Sequence, residues 1–259
     1  MQWVESEESW PVNWSSWAKQ ECLEAACGCA KRQKSMQLEV LKWLKTEGAK
    51  WDQMICTEAA QQGNLEALEW AISNGCPWDE ADCVRSAAEQ NHFHVLKWLV
   101  VEAGRPLPEN ACRAAALNGN LEMLQWARER GCPWDEKTST AAARRGHLEL
   151  LQWARSEGCL WGPSTCSAAA YGGHFDILKW ACSQGCPWDV ETAISAAGRE
   201  HYEILRWVVA RGCPCDERVC RAAAVTECLE MLQFAREELG CPWDSSVTWA
   251  AAENGGCLE

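Results

Sequence analysis

The apolar positions of this chain follow one recurring order. Gly131-Cys132-Pro133-Trp134-Asp135-Glu136 leads to Ala141-Ala142-Ala143-Arg144-Arg145-Gly146-His147-Leu148-Glu149 and then to Leu151-Gln152-Trp153-Ala154-Arg155, and later stretches restate it. Leu148, Leu151 and Ala154 step by three, which marks one buried face of a helix. Each stretch predicts two short helices. The first follows Trp-Asp, where an aspartate side chain can accept from the unpaired amides of a first turn and suits the positive end of the dipole. Asp52, Asp135, Asp189, Asp216 and Asp244 fit that role. Gly162-Pro163-Ser164 and Pro108-Glu109 carry equivalent helix-start chemistry where aspartate is missing. The first helix contains Ala-Ala, small enough for close helix approach, and stops at Gly63, Gly119, Gly146, Gly173 or Gly255. The second starts at Leu-Glu, as at Leu65-Glu66 or Leu121-Glu122. It ends at Gly-Cys-Pro, where Pro77, Pro133, Pro187, Pro214 or Pro242 forbids continuation.

The tryptophans give the period. Trp43, Trp70, Trp98, Trp126, Trp153, Trp180 and Trp207, continued by Phe234, are spaced by 27 or 28 residues. Trp51, Trp78, Leu107, Trp134, Trp161, Trp188, Cys215 and Trp243 form a second series eight or nine residues behind. Two interleaved series with one period mean a tandem repeat. The pattern sets residues 1–16 as the end of a preceding repeat, about eight repeats from 17 to 242, and a truncated ninth over 243–259, all in one array. Both ends fall inside a unit, so the chain is expected to be a fragment of a longer array. Cys29 to Ser35 is an insertion carrying Lys31, Arg32 and Lys34, read as a solvated basic loop.

A period near 27 also falls in the leucine-rich range, but no L-x-x-L-x-L strand is present. The chain instead resembles the ankyrin repeat over almost its whole length. The carrying residues are Ala142-Ala143-Arg144-Arg145-Gly146-His147-Leu148-Glu149, with Ala59-Ala60-Gln61-Gln62-Gly63-Asn64-Leu65-Glu66 and Ala169-Ala170-Tyr171-Gly172-Gly173-His174-Phe175-Asp176 similar to it. About six residues are missing relative to the 33 of that family, between Trp-Asp and Ala-Ala, where its projecting finger lies. The Thr-Pro-Leu-His tetrapeptide is absent too, and Cys56, Cys112, Cys166 and Cys220 hold its Leu place. The resemblance implies an all-α fold of right-angled helix-turn-helix repeats stacked into a curved, finger-less ankyrin-like solenoid. It also implies that His147 and His174 cap and link neighbouring units.

Composition narrows the function. The 259 residues carry a formal net charge of −13, which argues against nucleic acid or an anionic membrane as partner. Eighteen cysteines fall mostly at two repeat positions. Like positions of stacked units should lie ~8–10 Å apart, beyond the reach of a disulfide. The thiols are therefore expected to be free core residues of an intracellular, cytoplasmic protein. Zinc would need paired Cys motifs. Cys27 with Cys29, Cys213 with Cys215 and Cys182 with Cys186 lack matching second pairs. No catalytic triad, phosphate loop or H-E-x-x-H motif is present, so neither an enzyme, a metal nor a cofactor is expected. The recurring tryptophans are expected to be core, with Trp153→Ala costing roughly 3–5 kcal/mol.

What varies is a stripe. The two residues after Ala-Ala are Gln61 and Gln62, Glu89 and Gln90, Leu117 and Asn118, Arg144 and Arg145, Tyr171 and Gly172, Gly198 and Arg199, and Val225 and Thr226. The ankyrin resemblance places them on the concave side. The expectation is a monomeric scaffold that binds another protein there, Arg144, Arg145 and Tyr171 meeting an acidic patch at the centre. A spacer array within a larger protein is the alternative reading. The basic insertion is the second candidate surface.

Overall fold

The computed structural model describes residues 34–254. The unit around Trp17 and Cys22 and the basic residues Lys31 and Arg32 lie outside them. Sixteen α-helices, two π-helical turns and no strand make up the described residues. Contacts divide the chain into two compact bodies, Met1–Pro108 and Glu109–Glu259.

The first body holds α1 (Lys34–Thr46), α2 (Met54–Gln61), α3 (Leu65–Ser73), α4 (Glu80–Glu89) and α5 (Phe93–Lys97). The second holds the pairs α6 (Ala111–Asn118) with α7 (Leu121–Glu129), α8 (Glu136–Arg145) with α9 (Leu148–Ser156), and α10 (Pro163–Gly172) with α11 (Phe175–Ser183). It continues with α12 (Val190–Ala197) and α13 (Tyr202–Ala210), α14 (Glu217–Val225) and α15 (Leu229–Gln233), and α16 (Ser245–Asn254). Within this body the first helices α6, α8, α10, α12, α14 and α16 pack in a row, and each second helix packs on its own first helix. Ala115, Ala142, Ala169, Ala196 and Ala223 line that row with no exposed surface, which is why the sequence needs small residues there. Leu124, Leu151, Leu178 and Leu205 fill the space between the rows and are equally buried.

Caps set the helix starts as the aspartates foretold. Asp135, Asp189 and Asp216 accept from the amide two residues ahead at 2.9, 3.1 and 3.0 Å. Asp52 and Asp244 do the same for Met54 and Ser246. The start expected at Pro108-Glu109 is displaced to Ala111, after an Asn110 whose side chain makes no cap bond. Asn64 and Asn120 cap the second helices, accepting from Ala67 at 3.2 Å and Met123 at 2.9 Å. Two second helices hold one residue more than their counterparts before the closing glycine: Phe93 to Gly104 and Leu229 to Gly240, against Leu121 to Gly131. The extra residue is absorbed as a π turn, Trp98–Glu102 in the first body and Phe234–Glu238 in the second.

The tryptophans are not the core. Trp126 is buried, whereas Trp134, Trp153, Trp161, Trp180, Trp188 and Trp207 are half-buried, and Trp43 and Trp243 are each 53% exposed. Their regularity has another cause. The two series meet as edge-on pairs, Trp134 with Trp153, Trp161 with Trp180 and Trp188 with Trp207, with ring centroids 5.8, 5.4 and 5.7 Å apart. Arginines cover two of the outer rings. Arg128 lies 4.2 Å over Trp134 while donating to the Cys132 carbonyl, and Arg155 lies 4.6 Å over Trp161 while donating to the Cys159 carbonyl. Alanines, leucines and other small or aliphatic side chains fill most of the interior, and all of these indoles but Trp126 lie at its edge.

The cysteines that follow the closing glycines are buried, and most aim their sulfur at a carbonyl 23 or 24 residues back, near the start of a first helix. Cys159 reaches Asp135, Cys186 reaches Gly162 and Cys213 reaches Asp189, at 3.4, 3.4 and 3.2 Å. The last copy is an exception to the expectation that nearly all thiols are free. Cys241 is disulfide-bonded to Cys215, with Cα atoms 5.7 Å apart. Like positions of stacked units lie too far apart to bridge, but Cys215 and Cys241 occupy unlike positions. Cys215 stands at the second Trp position, next to Asp216, so it presents a sulfur where the other units present a carbonyl.

Candidate partner-binding surface

The variable residues close the first helices, and the next unit holds their backbone. The imidazole of His147 donates from Nε2 to the Leu117 carbonyl at 3.3 Å, His174 to Arg144 at 3.2 Å and His201 to Tyr171 at 3.3 Å. In the first body His92 bonds Gln61 at 2.9 Å. The histidines link units as the resemblance implied, but their side chains do not cap their own helices. Each ring lies over a glycine with positive φ in the unit before. A Cβ on Gly63, Gly119, Gly146 or Gly173 would fall 2.3–2.7 Å from His92, His147, His174 or His201. Where that turn position is Asn91 or Glu200, also at positive φ, the histidine place of the following unit holds Asn120 or Cys228.

In the first body, Gln61 and Gln62 are half-buried at the end of α2, while Glu89 and Gln90 are exposed at the end of α4. In the second body the structure gathers most of the stripe. Tyr171 is the centre: Arg144 approaches its ring at 4.4 Å and Arg199 at 4.1 Å. Leu117 and Arg144 line a cleft of about 880 Å³ with Arg113 and Lys137. Tyr171, Arg199, Val225 and Thr226 line a hollow of about 420 Å³ with Ile194 and Gly198. Asn118 and Arg145 are exposed but line neither of these.

Residues one helical turn earlier were not anticipated. Arg113, Ile194 and Arg221 sit four residues before Leu117, Gly198 and Val225 and so lie on the same helix face. That periodicity is the signal which could have found them. Arg218 also lines the 420 Å³ hollow, but Glu191 and Asp216 pair with it at 2.8 Å each. The surface can present guanidinium groups and an aromatic face to a ligand, an arrangement suited to carboxylates with apolar neighbours.

The thiols offer a different chemistry, but from inside. A hydrogen bond from Cys112 brings the Cys132 thiol down to about 7, and both side chains are buried. Among the described residues no three His, Cys, Asp or Glu side chains group to hold a metal ion, and no helix is long and apolar enough to cross a membrane.

No family model and no curated protein matches the chain. Among solved structures it is similar to the human ASB11 ankyrin repeat domain, at 19% identity over 61% of this chain and 84% of that one, with a TM-score of 0.49.

Proposed function

We propose that this chain is a non-catalytic scaffold that binds another protein on the stripe formed by the ends of its first helices. The observation that carries this reading is Tyr171 held between Arg144 and Arg199. Two like charges share one ring on an exposed surface, in a protein whose net charge is −13. The scaffold residues around them scarcely change from unit to unit, so the cationic cluster is a local departure. An acidic patch on the partner complements it.

The test uses the full chain as bait in cell extract, followed by affinity measurement on the recovered partner. Replacing Arg144, Arg145 and Tyr171 together by Ala should weaken binding by about 2 kcal/mol or more and leave the thermal midpoint almost unmoved. Unchanged affinity would move the site elsewhere. The absence of any retained partner would favour the spacer reading.

A further inference from the structure

Among the first residues of the stripe's pairs, one holds no side chain. Leu117, Arg144, Tyr171 and Val225 fill equivalent positions at the ends of α6, α8, α10 and α14, and Gly198 is their counterpart after α12. The backbone conformation does not demand this glycine, and a side chain here needs only a shift of a few tenths of an ångström. Its φ is −70°, an ordinary helical value. A Cβ there would meet only the Ile194 carbonyl at 3.3 Å and the Ala222 methyl at 3.7 Å. The missing side chain leaves the hollow of about 420 Å³, floored by Ile194, Ala222 and Val225 and walled by the Tyr171 ring. Val225 is 48% exposed, unusually open for its type. The rim is basic: Arg199, Arg218 and Arg221 against the single acid Glu191, which is already paired with Arg218. Among the described residues no carboxylate is within ion-pair distance of Arg199 or Arg221.

We infer that the Gly198 hollow receives one apolar or aromatic side chain of an acidic peptide segment, whose flanking carboxylates meet Arg199 and Arg221. This rests on the scaffold reading and specifies the partner. Burying one such side chain in a preformed hollow is what an interface hot spot requires. The guanidinium groups supply forked donors for the carboxylates on either side. A basic or purely polar segment would leave them unpaired.

A random heptapeptide library displayed on phage and selected against the full chain tests this directly. The expected outcome is enrichment of peptides with a Leu, Phe or Trp flanked by Asp or Glu. A synthetic copy should bind Gly198→Leu at least tenfold more weakly, because the leucine occupies the hollow. It should also lose tenfold or more when its own anchor becomes Gly. The thermal midpoint of Gly198→Leu should stay near that of the parent. If that variant does not fold, the charge reversal Arg199→Glu with Arg221→Glu, on the open rim, should abolish binding of the same peptide. Enrichment of basic peptides, no enrichment, or binding indifferent to Gly198→Leu and to the reversal would overturn the inference. The partner captured from extract would then still report on the wider stripe through Arg144 and Arg145, so the two readings fail separately.

Discussion

Gly146 and His174 are fitted to each other across two units. The glycine has a φ of +84° and sits so close beneath the imidazole that a Cβ would lie 2.6 Å from Cε1. The same ring bonds the Arg144 carbonyl, two residues before that glycine. Gly146→Ala therefore carries two costs, roughly 1–2 kcal/mol for a side chain in the left-handed region and about 1 kcal/mol for the displaced hydrogen bond. We expect a total of about 2–3 kcal/mol by denaturant unfolding. In a His174→Ala background only the backbone cost of roughly 1–2 kcal/mol should persist. Strict additivity of the two substitutions would show that the ring moves aside freely.

The helix pairs were legible in the sequence because their determinants are local and repeated: Ala-Ala, the capping aspartates, the closing glycines. Pro108-Glu109 misled because Asn110 intervenes before Ala111, and proline fixes only its own φ. The candidate site was half legible. Variation marked Arg144, Tyr171 and Arg199, but Gly198 passed as one more stripe residue and Arg221 lay one turn outside the pair that was compared. A vacancy contributes no side chain to a pattern, so only geometry reveals it. The tryptophans misled for a different reason. Regular recurrence shows that a residue packs in every unit, and Trp153 packs against Trp134 on a half-buried helix face instead of in the interior.

The half-buried placement trims the expected cost of Trp153→Ala. At most about a third of the Trp153 surface is in water, and the denatured chain already hides part of the rest, so the transfer contribution is roughly 2–3 kcal/mol. The edge-on contact with Trp134 adds about 0.5–1.5 kcal/mol. The loss by urea or guanidinium unfolding should come to about 3–4 kcal/mol, comparable to that of Leu151→Ala, which empties a fully buried site. A loss under about 1 kcal/mol would show Trp153 to be exposed.

The bridge between Cys215 and Cys241 closes a loop across 26 positions. Constraining the unfolded chain over such a loop stabilises by roughly 3 kcal/mol in the chain-entropy account. Denaturation without reductant should expose two fewer reactive thiols than denaturation with it. Cys215→Ser should lower stability by about that amount and make the thermal midpoint insensitive to dithiothreitol. A full count of eighteen thiols without reductant would show that the bridge is not formed in solution.

His201 ties stability to pH. Burial holds its imidazole below the ordinary value of 6.5, the positive charges of His174 and Arg199 push it further down, and Glu200 opposes them. Its Nε2 donates to the Tyr171 carbonyl. The native state thus resists a proton that the unfolded chain takes up near pH ~6.5. A depressed folded pKa gives stability that is fully present above the unfolded value and is lost as pH falls through it toward the folded one. Unfolding free energy should therefore decline from pH 7 to pH 5. His201→Asn puts at this position the residue type that occupies the same place at Asn64 and Asn120, where the side chain caps its own helix. That variant should lose about 1 kcal/mol at pH 7 with the Tyr171 bond, and should show a shallower decline toward pH 5. Urea unfolding across that range measures both slopes, and parallel curves would mean that His201 titrates alike in the folded and unfolded chains.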